Sequence, residues 1–111
     1  MRWKQLPSIE ELDQLTAAST NSTVLILKHS TRCSICHVVL DRLERKWKDE
    51  DDQKVVPYFL DLLAHRNVSN AIAERFDVEH ESPQVLLIRN GKCFYAASQT
   101  GINYADIMAA V

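Results

Sequence analysis

Hydrophobic and polar residues follow two periods along the chain, one typical of strands and one of helices. Val24-Leu25-Ile26-Leu27 has no polar alternation, which predicts a strand covered on both faces in the middle of a sheet. From about Ile35 to Lys48, apolar residues recur every three or four positions, so this segment is predicted to be an amphipathic helix. Its buried stripe is expected to contain Cys36, Leu40, Leu43 and Trp47.

Other helices are indicated by capping residues and helical spacing. Ser8 can accept a backbone hydrogen bond at the start of a helix that begins at Ile9, and Asn103 can do the same for a closing helix. Between them, Asn67 to Phe76 has apolar residues on one helical face. The acidic run Asp49 to Asp52 is unfavourable at a helix C-terminus, so we expect it to form a solvated loop.

Three more segments have the composition of strands. Val55 to Leu60 is one, and its Pro57, which has no N–H to donate, suggests the beginning or the edge of a strand. Gln84 to Ile88 and Lys92 to Ala96 are joined by Asn90-Gly91, a strong signal for a tight hairpin.

This order of elements predicts an α/β fold. Parallel strands connected by helices, followed by a hairpin and a closing helix, make a mixed central sheet of about five strands flanked by about four helices. The 111 residues are expected to form one domain, 1–111, which is large enough to bury a core without disulfides or a metal. The three cysteines are therefore free for chemistry.

The net charge and the composition of the first twenty residues limit the classes of function that the sequence is compatible with. The formal net charge is −2 and the 13 Lys and Arg residues are scattered, which argues against a nucleic-acid partner. The first twenty residues contain Glu10, Glu11 and Asp13 and no apolar core, so we expect neither a signal peptide nor a membrane span. A cytoplasmic protein is expected, in a compartment that keeps thiols reduced.

The candidate chemistry lies at Cys33-Ser34-Ile35-Cys36, between the buried strand and the amphipathic helix. Two thiols two residues apart on the first turn of a helix can close a small disulfide ring. The unpaired N–H groups of that turn favour the thiolate of Cys33. This placement predicts thiol–disulfide exchange, with Cys33 and Cys36 as the catalytic pair.

Two other chemistries use the same residues. With His37 the segment spells C-x-x-C-H, the haem-attachment pattern, but a short pattern alone has many false positives. Zinc could nominally take Cys33, Cys36 and His37 with a distant Cys93 or His29. No second half-site is present, and consecutive Cys36 and His37 point to different sides of a helix. We therefore expect no metal and no resident cofactor.

The remaining candidate residues have weaker assignments. Cys93 is expected to be a small buried hydrophobe rather than a third redox thiol. Arg32 either helps to hold the negative charge of Cys33 or is a solvent-facing cation. His29, His37 and His80 are expected at the surface or in capping positions, with proton transfer as the alternative.

The order of elements, with Cys33-Ser34-Ile35-Cys36 after the second strand and Ser82-Pro83 before the hairpin, resembles the thioredoxin superfamily over essentially the whole chain. Three segments are similar to the YtxJ family of bacillithiol-linked redox proteins, the monothiol bacilliredoxins: Lys28 to Cys33, Asp61 to Arg66 and His80 to Gln84. The resemblance implies that Cys33 is the nucleophile and that Pro83 is cis and packed beside the cysteines. It also implies that Ser82 offers main-chain contacts to a bound thiol or peptide.

The chain also departs from these relatives. In the bacilliredoxins the position of Cys36 is often not a cysteine. This chain departs from the family there, so the resemblance does not decide whether its catalytic cycle is strictly monothiol. Thioredoxin proper is a poorer match because Arg32 replaces Trp, Ser34-Ile35 replaces Gly-Pro, and Leu27 occupies the place of a buried acid. Glutaredoxin is a distant fit, since no Gly-Gly-Cys-x-Asp segment follows the proline.

The resemblance implies a thiol–disulfide oxidoreductase that removes bacillithiol, as co-substrate, from mixed disulfides of client proteins. Arg32, Ser82 and Pro83 are its expected substrate-binding residues, and a monomer is expected. Two alternatives stay open. One is a general dithiol reductase that uses Cys33 and Cys36, and the other is a non-catalytic thioredoxin-like stress or binding module.

Overall fold

The computed structural model describes residues 1–111 and contains a five-stranded mixed sheet with helices on both faces. The strands are β1 (Lys4–Gln5), β2 (Thr23–His29), β3 (Val55–Asp61), β4 (Gln84–Arg89) and β5 (Lys92–Ser98). The helices are α1 (Ile9–Ala18), α2 (Ser34–Lys46), α3 (Asp51–Lys54), α4 (Arg66–Phe76) and α5 (Tyr104–Ala110), with a short 3-10 helix at Gln99–Gly101. No helix has the length and apolar composition to cross a bilayer.

The strand order β1-β3-β2-β4-β5 places β2 in the centre, and all seven of its residues are buried. β2 pairs in parallel with β3 and antiparallel with β4, with Lys28 opposite Gln84. The segment that enters β4 therefore lies beside the segment that leaves β2. The prediction that Pro57 marks the beginning or the edge of a strand is wrong for β3 as a whole, which lies between β1 and β2. Pro57 is tolerated there because β1 pairs only with Tyr58 and Phe59 and leaves one side of the proline without a strand partner.

The core has two layers because successive β2 side chains point to opposite faces of the sheet. Val24 and Ile26 pack with α1 and α4, whereas Leu25 and Leu27 pack with α2 and α5. The buried residues of α2 are Cys36, Val39 and Leu43. The predicted stripe is thus confirmed in outline, with Leu40 half-buried and Val39 added.

Three local signals are confirmed by the backbone. Ser8 Oγ accepts the N–H of Glu11 at 3.2 Å, and Asn103 Oδ1 accepts the N–H of Asp106 at 2.9 Å. Asn90 and Gly91 have φ angles of 53° and 71°, which is the left-handed region that the tight hairpin between β4 and β5 requires.

The expectation of a solvated loop at Asp49 to Asp52 is confirmed for Asp49 and Glu50, which form an exposed turn, but it is wrong for Asp51 and Asp52. These two residues lie in α3, the helix that makes five rather than about four. Asp51 begins α3 and only 2% of its surface is exposed. Its Oδ2 accepts hydrogen bonds from Tyr104 Oη at 2.6 Å and from the Lys48 N–H at 2.9 Å. Burial alone would raise the pKa of this carboxyl, but these hydrogen bonds outweigh it and hold the pKa below its ordinary value.

Asp51→Ala should lower the free energy of unfolding by about 2 kcal/mol, because it removes a buried acceptor of two hydrogen bonds. Asp49→Ala, which changes an exposed neighbour, should leave the free energy of unfolding nearly unchanged. Urea denaturation of both variants at pH 7 measures the difference. Since the folded pKa of Asp51 is the lower one, its contribution is present above about pH 4 and declines at lower pH. Equal stabilities at pH 7 would contradict the assignment.

Candidate redox site

Cys33 is the N-cap of α2, and its sulfur takes the role that a serine or aspartate oxygen usually has there. Its backbone is extended (φ −106°, ψ 116°), and its Sγ accepts the N–H of Cys36 at 3.3 Å. Cys33 is half-exposed, whereas Cys36 is 0% exposed, and neither forms a disulfide. The two thiols are thus close to each other but differ in their access to solvent.

Because of this difference, the pKa values of the two cysteines are shifted in opposite directions. The pKa of Cys33 lies below its ordinary value because the Cys36 side chain, and then the Cys36 backbone N–H, donate hydrogen bonds to its sulfur. The pKa of Cys36 lies above its ordinary value, chiefly because burial disfavours its thiolate. Thiolate chemistry at neutral pH is therefore concentrated at Cys33.

The loop that precedes β4 brings Ser82 and Pro83 to the cysteines. The Ser82-Pro83 peptide bond is cis, as the resemblance implied. Ser82 Oγ lies 3.4 Å from Cys36 Sγ, so this side chain contacts the buried cysteine. The loop is held at both ends: Gln84 Nε2 donates to the Glu79 carbonyl at 2.9 Å, and the Gln99 N–H donates to the Pro83 carbonyl at 2.9 Å.

Arg32 lies exposed in the turn between β2 and α2. Its backbone N–H donates to Ser30 Oγ at 3.3 Å, which fixes the turn ahead of Cys33. The causes of the lowered Cys33 pKa are hydrogen bonds from the start of α2 and do not include the Arg32 charge. The structure therefore places Arg32 next to the nucleophile in sequence, facing solvent.

A buried lysine behind the loop was missed from the sequence, and it contacts His80, which is exposed as expected. Lys28 is 0% exposed, and its Nζ donates to the Ser69 carbonyl and to His80 Nδ1, each at 3.2 Å. Burial lowers the pKa of Lys28 to about 8 and is also the main reason that the pKa of His80 is lowered. The available signal was a lysine directly after an apolar run in a strand predicted to be covered on both faces.

The histidines differ from one another in environment. A surface position is wrong for His29, which is buried with its ring 5.0 Å from His37 and 5.1 Å from Phe59. His37 Nε2 lies 2.9 Å from the Thr31 carbonyl, as expected for a capping role. Burial and the neighbouring His37 lower the pKa of His29.

Cys93, one of the nominal zinc ligands, lies far from the other cysteines in the fold. Cys93 packs against the α1–α4 layer of the core, on the opposite face of the sheet from α2, and its Sγ donates to the Tyr95 carbonyl at 3.2 Å. No group of three or more His, Cys, Asp or Glu side chains is arranged to hold a metal ion. Cys93 was expected to be a small buried hydrophobe; it is half-buried, and burial raises the pKa of its thiol.

Comparison with known proteins agrees with this geometry. The sequence model of the family described as monothiol bacilliredoxin BrxC matches residues 4–107. Among solved structures, a candidate oxidoreductase with a thioredoxin fold is 28% identical, with a TM-score of 0.80 over 96% of this chain and 90% of that chain. Malassezia sympodialis thioredoxin is 17% identical, with a TM-score of 0.78 over 98% and 87%. Mitochondrial thioredoxin 3 of Saccharomyces cerevisiae is 15% identical, with a TM-score of 0.72 over 98% and 92%. These likenesses confirm the thioredoxin-like fold.

The hydrogen bond from the Cys36 side chain can be tested through the alkylation of Cys33. In Cys36→Ala, the pH midpoint of Cys33 alkylation should rise, because the largest cause of the low pKa is removed. Cys36→Ser keeps a donor in the same place and should raise the midpoint less. Both midpoints should stay below that of a free cysteine, since the backbone N–H remains. Iodoacetamide rates with peptide mapping give the midpoints, and identical values in all three proteins would contradict the assignment.

Lys28→Met should leave the protein as stable as the wild type at pH 7 or more stable, because the variant buries a side chain of similar size without a charge. The folded pKa of Lys28, about 8, is lower than the unfolded value, about 10.5. Between these values the unfolded chain binds more protons, so wild-type stability rises with pH relative to the variant. Urea unfolding under reducing conditions at pH 7, 8, 9 and 10 measures this trend. A pH-independent difference would show that Lys28 keeps an ordinary pKa.

Proposed function

The chain belongs to the monothiol bacilliredoxin family, and we propose that it removes a low-molecular-weight thiol, bacillithiol, from mixed disulfides with client proteins by way of Cys33. The observation that carries the proposal is the pairing of a half-exposed, acidic Cys33 with a buried, poorly acidic Cys36. The same proposal includes that the chain belongs to the YtxJ branch of the family and that its redox site has the form Cys33-x-x-Cys36.

The first step is a thiol–disulfide exchange. The Cys33 thiolate attacks the sulfur of the small thiol, so that a Cys33–S bond forms while the bond to the client breaks. The client leaves as a thiolate and takes a proton from water. The proposed substrate contacts are Arg32, which precedes Cys33 in the chain, Pro83, and Ser82, whose Oγ lies 3.4 Å from Cys36 Sγ.

Regeneration has two routes. In the monothiol route a free small thiol attacks the adduct and displaces Cys33. A low pKa favours this step because Cys33 is then the better leaving group. A lower pKa raises the thiolate fraction at pH 7 but lowers the intrinsic nucleophilicity of that thiolate, so the two effects largely offset each other when Cys33 is the attacker. The low pKa of Cys33 thus matters mainly when Cys33 is displaced.

The dithiol route, in which Cys36 attacks Cys33 and expels the small thiol, is the second candidate function. The closeness of the two residues favours it, since they are one helical turn apart and the Cys36 N–H donates to Cys33 Sγ at 3.3 Å. Burial and the raised pKa of Cys36 oppose it, because the attacking thiolate is scarce at neutral pH. The monothiol route is therefore the main proposal.

The proposed setting follows from the chemistry. A nucleophile that must return to the thiol form in each cycle suits a compartment that keeps thiols reduced, so a cytoplasmic location is proposed. The protein is proposed to act as a monomer of one domain, 1–111, on thiolated clients, without nucleic acid, membrane, resident cofactor or metal. The small thiol serves as co-substrate.

Cys33→Ser should abolish de-thiolation, whereas Cys36→Ser should retain it when free bacillithiol is supplied. Cys93→Ser is the matched control and should leave turnover unchanged. The measurement is mass spectrometry of a bacillithiolated client protein over time. A complete loss of turnover in Cys36→Ser, with Cys33 still alkylated normally, would rule out the monothiol route in favour of the dithiol reductase.

A further inference from the structure

A groove beside Cys33 has no role in the exchange chemistry described above. It consists of two adjoining cavities of about 230 and 280 Å³ that share Val39, Arg42, Thr100 and Ile102. We call it the α2–α5 groove. It runs along α2 from Ser34, the residue after the nucleophile, and has the segment 100–104 as its opposite wall.

The end of the groove nearest Cys33 is apolar and open to solvent. Ile35 and Val38 are 44% and 48% exposed, and both line this end. Only two other large hydrophobic residues of the chain, Phe94 and Val111, are exposed. Two exposed apolar side chains beside a reactive thiol are expected where a ligand covers them in part of the cycle.

The charges along the groove are all positive. Arg42 and Lys46 are its charged lining residues, and no carboxylate lines it, although the chain has a net charge of −2. Arg42 has no ion-pair partner, whereas Arg45 on the same helix is paired with Asp41 at 3.0 Å. An unpaired guanidinium in a groove is complementary to a carboxylate.

The distance from Cys33 to Arg42 suits a small thiol. The two residues are nine positions apart, which is about 13 Å along a helix axis. Long side chains on a helix lean back toward its N-terminus, which brings the guanidinium closer to Cys33. A chain of about three residues spans about 10 Å. Bacillithiol is a thiol of that size with malate carboxylates at the end opposite its sulfur.

We propose that the α2–α5 groove binds the carboxylate-bearing end of the small thiol while its sulfur reacts at Cys33, with Arg42 as the residue that binds the carboxylate. Ile35 and Val38 contact the middle of the ligand, and Lys46 adds positive charge beyond Arg42. This inference rests on the proposed function, because it requires a small thiol at Cys33. It makes Arg42 a specificity-determining residue for anionic thiols.

The test compares an anionic with a neutral disulfide as oxidant of the reduced protein. In both reactions the Cys33 thiolate bonds to one sulfur, the original S–S bond breaks, and the other half leaves as a thiolate that takes a proton. The probes are oxidised bacillithiol and 2-hydroxyethyl disulfide. After quenching, mass spectrometry measures how fast the reduced protein disappears. This rate includes both products, the Cys33 adduct and the internal disulfide.

Arg42→Gln should slow the reaction with oxidised bacillithiol about tenfold, the loss expected for one charge-assisted hydrogen bond. Its reaction with 2-hydroxyethyl disulfide should change less than about twofold, since that probe has no carboxylate. Arg45→Gln removes the same charge from an exposed position of the same helix and should behave as wild type with both probes.

Each contrary outcome has its own meaning. If the wild type forms no bond with bacillithiol, the proposed function fails. If the wild type reacts and Arg42→Gln matches it, only the groove inference is overturned. Equal losses in both variants would indicate a general charge effect instead of a site. If Arg42→Gln slows only the release of a client carrying a neutral small thiol, the groove holds the client, which also overturns the proposal.

Discussion

The antiparallel pairing of β2 with β4 is the constraint on which the site depends. Because Lys28 lies opposite Gln84, the chain that leaves β2 toward Cys33 runs beside the chain that enters β4 through Ser82 and Pro83. The loop ahead of β4 is then held from both faces of the sheet. Ser82 contacts Cys36 on the α2 side, and His80 contacts Lys28 on the α4 side. The register of two central strands thus determines which side chains surround the sulfur atoms.

The first turn of α2 places the two thiols in different environments. Cys33 and Cys36 are only one helical turn apart, but Cys33 caps the helix at the surface while Cys36 lies on the buried stripe. Hydrogen bonds to the outer sulfur stabilise its thiolate, and burial of the inner sulfur keeps it protonated and able to donate. The low pKa of Cys33 therefore depends on a hydrogen-bond donor at position 36.

The sequence could predict those features that depend on neighbours along the chain. The unbroken β2 run, the caps at Ser8 and Asn103, the Asn90-Gly91 hairpin and the position of Cys33 are all local patterns. The burial of Asp51 depends on Tyr104, 53 residues away, and the buried Lys28 depends on Ser69 and His80. Such contacts form only when the helices pack on the sheet. A charged side chain is therefore predicted to be exposed to solvent when its distant partner cannot be identified from the sequence.

Cys36 is a second cysteine in a chain whose family is described as monothiol. If Cys36 acts mainly as a hydrogen-bond donor, a serine could take its place with a weaker effect on Cys33, and a cysteine at this position is compatible with a monothiol cycle. Its burial against Ser82 disfavours the thiolate that an attack would require, while its donated hydrogen bond lowers the pKa of Cys33 and so makes Cys33 a better leaving group. The presence of two cysteines in this geometry therefore does not by itself imply that both become covalently bonded in each turnover.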